Sequence, residues 1–451
     1  MIWANFLHIY QPPTQKPEIV TKVTKESYRK IITELKRAKR AKVTLNINAV
    51  LTELLVKGGQ EDVVRDIKDL AEAGRIELTG SAKFHPLLPK LPESEAIRQI
   101  KLNDETNRKF FGSAWHPQGF FPPEMGFSMA VAKLVSKLGF KWIIADEFSY
   151  PKDRGKIDYS KIYKIEGLPL QIYFREREIS FKILSAQLGT GKLLLHELGP
   201  RLKEDKYLLT AMDGETFGHH RLGLEQLLFD LYRAKEIWPV TISALPQFFP
   251  DQVEITPEPS TWALTGKDLE RQTPFSRWFE ASNPIHAMQW QLTELAIKTV
   301  TEAARIKDWD KARRALDRSL HSDQYWWAGA KPWWSIEYIE RGAKELVEAI
   351  KLTPGVAPQT VKKADDFYFR ILSQAFDWQR EGVVDAMARA EDEEIRQRVD
   401  INLPALAKRE FDRMIANLRR QMLAAARSGE YERAAQFRDR IAELKEQKEK
   451  I

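Results

Sequence analysis

One change of rhythm constrains this chain more than any other feature. Up to about residue 250, short apolar runs alternate with amphipathic stretches, and from about Thr261 only helical periodicity remains. Regular alternation of strand and helix means crossover connections and a parallel sheet, either closed or doubly wound. Strands are expected at Ile2–Ile9, Val43–Leu51, Ile76–Ala82, Gly119–Pro122, Trp142–Ala145, Tyr207–Met212 and Pro239–Ala244, with a β-hairpin over Ile162–Phe174. Helices are expected at Ser27–Lys39, Gln60–Ala73, Pro92–Phe111 and Met129–Leu138. An open sheet gathers function at one switch point, whereas a barrel carries it on several strand ends. Here polar residues follow strand after strand: His8, Tyr10 and Gln11; Ser81, Lys83 and His85; Glu124; Asp146 and Glu147; Asp213 and Glu215. A barrel over residues 1–260 is therefore the expected fold. No glycine-rich phosphate loop accompanies the strands, which counts against a nucleotide-binding fold.

The remainder reads as helix. Pro284–Arg305, Trp309–Tyr325 and Ser335–Ile350 have helix-length periodicity, giving a bundle over 261–352. It contains Trp326-Trp327-Ala328-Gly329-Ala330-Lys331-Pro332-Trp333-Trp334, and tryptophans either stack on sugar faces when exposed or pack when buried. Thr353–Pro358 reads as a linker, followed by a helical region over 361–451 with stretches at Ala364–Met387, Glu391–Arg427 and Tyr431–Lys448. The last two form a hairpin over 415–448, apolar on one face and charged on the other, suited to self-association or to packing on another domain.

Composition narrows the chemistry. With no cysteine there is no disulfide framework, no thiolate metal site and no cysteine nucleophile. The net charge of +7 is a small difference between 71 basic and 64 acidic residues, so it gives little support to nucleic-acid binding. No run of about 18 apolar residues and no leader pattern is visible, and a cytoplasmic protein without membrane partners is expected.

The densest polar stretch is Asp213-Gly214-Glu215-Thr216-Phe217-Gly218-His219-His220-Arg221, between the strand ending at Met212 and a helical run Leu222–Lys235. If extended backbone persisted through Gly214, Asp213 and Glu215 would point the same way. Such acids hold a metal, carry a proton or cap the next helix. A second carboxylate, Glu124, follows a strand and is stiffened by Pro122 and Pro123. Two carboxylates facing one cavity are the minimum equipment for glycoside hydrolysis.

At these residues a family comes into view. His8-Ile9-Tyr10-Gln11-Pro12 resembles the first motif of glycoside hydrolase family 57, usually His-x-His-Gln-Pro, and Gly80–Pro89 resembles the second. Pro122-Pro123-Glu124 is similar to the third, Asp213–His219 to the fourth, and Ser322-Asp323-Gln324-Tyr325-Trp326 to a fifth. The resemblance covers residues 1 to about 350. It implies an incomplete (β/α)7 barrel with a helical domain completing the site, a retaining mechanism, no obligatory metal or other cofactor, and α-glucan substrates. Carried over by position, Glu124 is the nucleophile and Asp213 the acid/base. His8, Gln11, His85, Glu215, His219, Asp323, Trp326 and Trp327 would then contact substrate. Tyr10 and His220 depart from the pattern, standing where His and Trp are common. The tail stretch Tyr431–Ile441 resembles the UVR motif, a helical hairpin of excision-repair subunits, and implies protein–protein contact.

A retaining mechanism needs Glu124 ionised and Asp213 protonated at the first step, so Asp213 is expected in the less solvated position or beside the negative charge that raises its pKa. Two other readings stand beside this one. In a metal-dependent polysaccharide deacetylase, Asp213 with His8, His85 or His219 would hold a divalent ion. In a carbohydrate-binding scaffold the fold would be kept without turnover.

Overall fold

A computed structural model of the chain describes residues 1–304, 306–331, 333–398 and 406–449. Its strands are β1 Ile2–Ile9, β2 Val43–Ile47, β3 Ile76–Leu78, β4 Gly119–Phe120, β5 Trp142–Asp146, β6 Ile162–Ile165, β7 Gln171–Arg175, β8 Tyr207–Asp213, β9 Trp238–Val240 and β10 Gln252–Ile255. One sheet runs β3-β2-β1-β8, all parallel, with β9 beside the first residues of β1. The other runs β10-β6-β7-β5-β4, and β6 and β7 are the expected antiparallel hairpin.

Two seams join the sheets. Gly80 N donates to Gly119 O, and Phe121 N to Gly80 O, at 2.9 Å each, while Glu176 N donates to Leu209 O at 2.8 Å. Strands β1, β2, β3, β4, β5, β7 and β8 thus follow one another around an incomplete (β/α)7 barrel. Side-chain alternation decides what fills it. Ala4 and Phe6 of β1, Leu209 and Ala211 of β8, Trp142 and Ile144 of β5, and Tyr173 of β7 share one buried cluster. Two residues further along the same strands come His8, Asp213, Asp146 and Arg175. The period of two that packs the interior therefore delivers polar groups to its C-terminal end.

Several elements differ from expectation. The run Val43–Leu51 is β2 followed by a helix Ala49–Lys57: the alternation ends at Asn48, and the apolar Ala49-Val50-Leu51 that follows opens the helix with no glycine or proline to mark the change. The first helical region starts earlier, at Pro17, and contains a π-helical turn Thr24–Tyr28 before Arg29–Arg37. The last expected strand shortens to β9 and passes into a 3-10 turn Ile242–Gln247. Helices Arg177–Leu184 and Gly191–Leu198 and strand β10 were not anticipated.

Helices Pro284–Glu302, Trp309–Ser319 and Ile336–Lys351 form a bundle with its own core, and Pro358–Arg380 joins it through Ala364, Phe367, Ile371 and Ala375. The stretch read as a linker is thus a short turn between two packed helices. The expected helix Glu391–Arg427 crosses residues 399–405, which lie outside the described residues. The hairpin itself is Leu406–Arg427 and Tyr431–Glu449, and its apolar face packs on the barrel through Phe411, Ile415, Leu418 and Phe437. Among the described residues, no helix is long and apolar enough to cross a membrane.

Candidate active site

Glu124 follows β4 in a left-handed conformation, φ 62° and ψ 18°, and Met125 and His85 also have positive φ, 47° and 56°. Such backbone costs of order 1–3 kcal/mol for each non-glycine residue and persists only where the surroundings enforce it. Here Gly126 N donates to Pro123 O at 2.9 Å and Trp262 N to Glu124 O at 3.3 Å. The Glu124 carboxylate accepts from Trp262 Nε1 at 3.0 Å and from Ser322 Oγ at 3.1 Å. His85 Nδ1 stands 3.6 Å from Glu124 Oε1.

Asp213 ends β8, in register with His8 of β1. The His8 Nδ1 lies 2.8 Å from Asn46 Oδ1 on β2, and its ring lies over His85 at 5.0 Å between centroids. Tyr10 stacks on the other neighbour of this row, 4.1 Å from the His85 ring. Its hydroxyl donates to Asp323 Oδ2 at 2.6 Å, a carboxylate that also meets His321 Nδ1 at 3.0 Å. Nε2 of His321 reaches Glu345 at 3.2 Å. The barrel and the bundle therefore meet across His85, Tyr10, Ser322 and Asp323.

Burial sets the charges. It pushes Glu124 up to about 8, helped by the charges of Asp213 and Asp323 and opposed by the hydrogen bonds from Trp262 and Ser322. Asp213 is raised by burial to about 6, with Arg175 holding it down. The order is the reverse of that expected for the two roles, and the Arg175 guanidinium is a cause that sequence did not reveal. Glu215 is raised by burial and by Asp213 to about 8. Desolvation keeps His85 near 4 and His8 well below the usual imidazole range. Burial works against the His321 cation too, but hydrogen bonds to Asp323 and Glu345 outweigh it and raise the group to about 9.

Glu215 does not share the direction of Asp213. After β8 the chain turns through a 3-10 segment Gly214–Thr216, and Glu215 is buried beneath, accepting from Tyr10 N at 3.1 Å, Gln11 Nε2 at 3.5 Å and the Tyr28 hydroxyl. Gln11 also accepts from Gln15 at 2.9 Å. His219 joins Glu26, with Nδ1 at 2.6 Å from Oε2, rather than the row of rings above Asp213. In the tryptophan cluster, Trp326 leans on Trp278 and Trp327 stacks on Tyr338. Trp334 stacks on Trp378, while Trp333 stays half exposed, so packing and exposure occur in one segment. Asn46, Arg175, Trp262 and His321 had not been singled out for the site, and Ser322 only as the first residue of the fifth motif. For Asn46 and Arg175 the signal was strand parity; for Trp262 and His321 no local pattern pointed there.

Glu124 and Asp213, both partly buried, stand at strand ends of the barrel with Ser322 of the bundle against Glu124, which defines the class as a (β/α)-barrel protein with a strand-end carboxylate site. Residues 6–233 match glycosyl hydrolase family 57, about half of the chain, and the chain belongs to that family. A UvrB/uvrC motif matches residues 412–447. An alpha-amylase of Pyrococcus horikoshii is 22% identical over 240 residues, 52% of this chain and 37% of that protein. The chain spans between 31% and 53% of the length of the curated relatives it matches. Among solved structures, a family 57-type branching enzyme from Pyrococcus horikoshii superposes with a TM-score of 0.63 at 15% identity, covering 81% of this chain and 94% of that one. A 4-alpha-glucanotransferase from Thermococcus litoralis gives 0.62 at 16% identity, covering 77% and 59%. At these identities the likeness establishes the fold.

Proposed function

We propose that the protein is a retaining glycoside hydrolase or transglycosylase acting on α-glucans, with α-1,4 linkages as its target. The observation that carries the reading is the carboxylate pair, Glu124 and Asp213, on different strand ends and close enough that the charge of Asp213 raises Glu124. In the first step Asp213 gives its proton to the glycosidic oxygen while Glu124 attacks the anomeric carbon; the bond from that carbon to the glycosidic oxygen breaks, the leaving sugar departs with a free hydroxyl, and a covalent glycosyl-enzyme remains. Trp262 and Ser322 donate to the Glu124 carboxylate, which favours its ionised, attacking form against the effect of burial. Once Glu124 is esterified its charge is gone, and Asp213 is free to take a proton from the attacking hydroxyl. Water as acceptor gives hydrolysis; a sugar hydroxyl gives transfer. His85, Tyr10 and Asp323 join Glu124 in one run of contacts, and the relatives named amylase, branching enzyme and glucanotransferase support an α-glucan as substrate.

The deacetylase reading is disfavoured by placement. Of the histidines it needs, His8 and His85 stack on each other with His8 Nδ1 engaged by Asn46, while His219 is drawn away to Glu26. Among the described residues no three His, Asp or Glu side chains gather as a metal site.

The test incubates the protein with maltooligosaccharides, with and without a chelator, beside Glu124→Gln and Asp213→Asn. Products both longer and shorter than the starting sugar, lost in both variants and indifferent to chelator, identify transfer; shortening alone identifies hydrolysis. NMR of the first product should show the α-anomer. A β-anomer, or turnover that survives Glu124→Gln, removes the mechanism; glucan binding unaltered by Glu124→Gln with no product in any sample identifies a scaffold.

A further inference from the structure

The π-helical turn Thr24–Tyr28 grips the loop that follows Asp213. A π turn carries an extra residue per turn and recurs at functional sites, and here Glu26, Ser27 and Tyr28 are all buried. Each takes hold of the loop separately. Glu26 meets His219 at 2.6 Å, Ser27 Oγ donates to Gly214 O at 2.7 Å, and the Tyr28 hydroxyl donates to Glu215. His219 and His220 in turn donate their backbone N–H groups to Glu215 O, at 3.2 and 2.9 Å. Gly218, with φ 103°, lies so close that a Cβ there would run into the Glu26 carbonyl.

The outer side of this turn is covered by the C-terminal hairpin. Lys25 pairs with Glu430 at 2.6 Å, and Arg433 Nη1 lies 3.5 Å from the second oxygen of Glu26. The Glu26 side chain is 3% exposed and that of Arg433 13%, so this is a buried carboxylate divided between the catalytic loop and the hairpin. The hairpin is seated by shape as well as by charge. Gly189 and Gly223 leave out a Cβ where Met414 and Leu418 enter, and Gln421 reaches Glu225 at 3.2 Å beside Lys30 at 2.6 Å.

We propose that the hairpin is a positioning element of the active site: Arg433, acting through Glu26 and His219, holds the Gly214–Arg221 loop against the end of β8. Removing one partner of a buried ion pair leaves the other charge uncompensated. Without Arg433, Glu26 keeps its contact with His219 but loses the guanidinium beside it, and local opening of the loop becomes cheaper. The consequence for rate rests on Asp213 being the acid/base; the ordering of the loop does not.

Hydrogen exchange on the full chain separates the two. In Arg433→Gln, amides of residues 213–221 should exchange about tenfold faster than in the parent. Arg433→Lys should recover most of the protection, and Arg438→Gln, at an exposed residue paired with neighbouring Asp439, should leave it unchanged. The amides of β2 report whether the fold is intact. Arg433→Met keeps an unbranched apolar side chain in place of the guanidinium that lies over the Phe437 ring and must show the same loosening, which guards against misfolding of the glutamine variant. Unchanged exchange over 213–221 in Arg433→Gln and Arg433→Met overturns the proposal. On maltooligosaccharides the same variants should lose kcat at constant KM. A parent protein without turnover, combined with a loosened loop in the variants, would refute the proposed activity while the positioning role stands.

Discussion

At Glu124 burial and hydrogen bonding pull in opposite directions: desolvation favours the neutral acid, while Trp262 and Ser322 donate to the carboxylate. Asp213 is buried as well, but the Arg175 charge restrains its rise. Burial and the neighbouring charges thus raise Glu124 further than Asp213, the reverse of the order that a nucleophile and a proton donor require. Bound sugar shifts the balance, because positive charge developing at the anomeric carbon stabilises ionised Glu124. The sign of the pH dependence follows. Below about 6 both groups hold protons and the nucleophile is lost; above about 8 both are ionised and the proton donor is lost. A plot of kcat/KM against pH should be bell-shaped between these limits, and a profile without an alkaline fall would contradict the pairing. Sequence parity made His8 and Asp213 legible as neighbours at a barrel end. It could not supply the proton order, which depends on Arg175 and on how much water is excluded.

Among the elements, β4 is the shortest strand and carries the most exacting fit. A Cβ on Gly119 would overlap the Trp142 ring, which is fully buried and anchored by Nε1 donating to Ser243 at 2.8 Å. Gly119→Ala should therefore destabilise the fold by about 1–3 kcal/mol through overpacking. Activity should fall with it, because β4 leads directly into Pro122–Glu124. Gly80→Ala makes the contrast, since the Phe140 ring it would meet is only partly buried and has room to swing. Denaturant unfolding of the two variants should separate them, and equal stability of Gly119→Ala and the parent would show that the Trp142 wall yields. Strands with clear boundaries, such as β1 and β8, and the β6–β7 hairpin were legible from local pattern. The helix Ala49–Lys57 was not, because it follows β2 with no glycine or proline between. The π turn at Thr24–Tyr28 carries no mark in its composition either; its widening is visible only through what Glu26, Ser27 and Tyr28 touch.

For the whole molecule, the joint between barrel and bundle turns on Arg313. It is 4% exposed and donates to both oxygens of Glu95, on the barrel helix Glu93–Phe111, at 2.9 and 2.7 Å. It also lies 2.9 Å from Asp317, which accepts Arg98 from the barrel side. Arg313→Met takes both hydrogen bonds from the buried Glu95 and leaves Asp317 with Arg98 alone, and a loss of about 3–5 kcal/mol is expected. The same helix leads into His321–Trp326, so turnover should drop at temperatures where the protein is still folded. Lys298→Gln, at an exposed pair with Glu302, should cost under about 1 kcal/mol. Comparable unfolding midpoints for the two variants would deny the joint its role. The sequence by itself determined the alternating barrel, the strand ends on which acids and histidines emerge, and the amphipathic face of the hairpin, because each is written in spacings between near neighbours. Tertiary structure alone decided that Trp262 and Ser322 meet Glu124 from 138 and 198 positions away, and that Arg433 closes on Glu26. Those pairings depend on which packed faces exclude water together, and no local period records that choice.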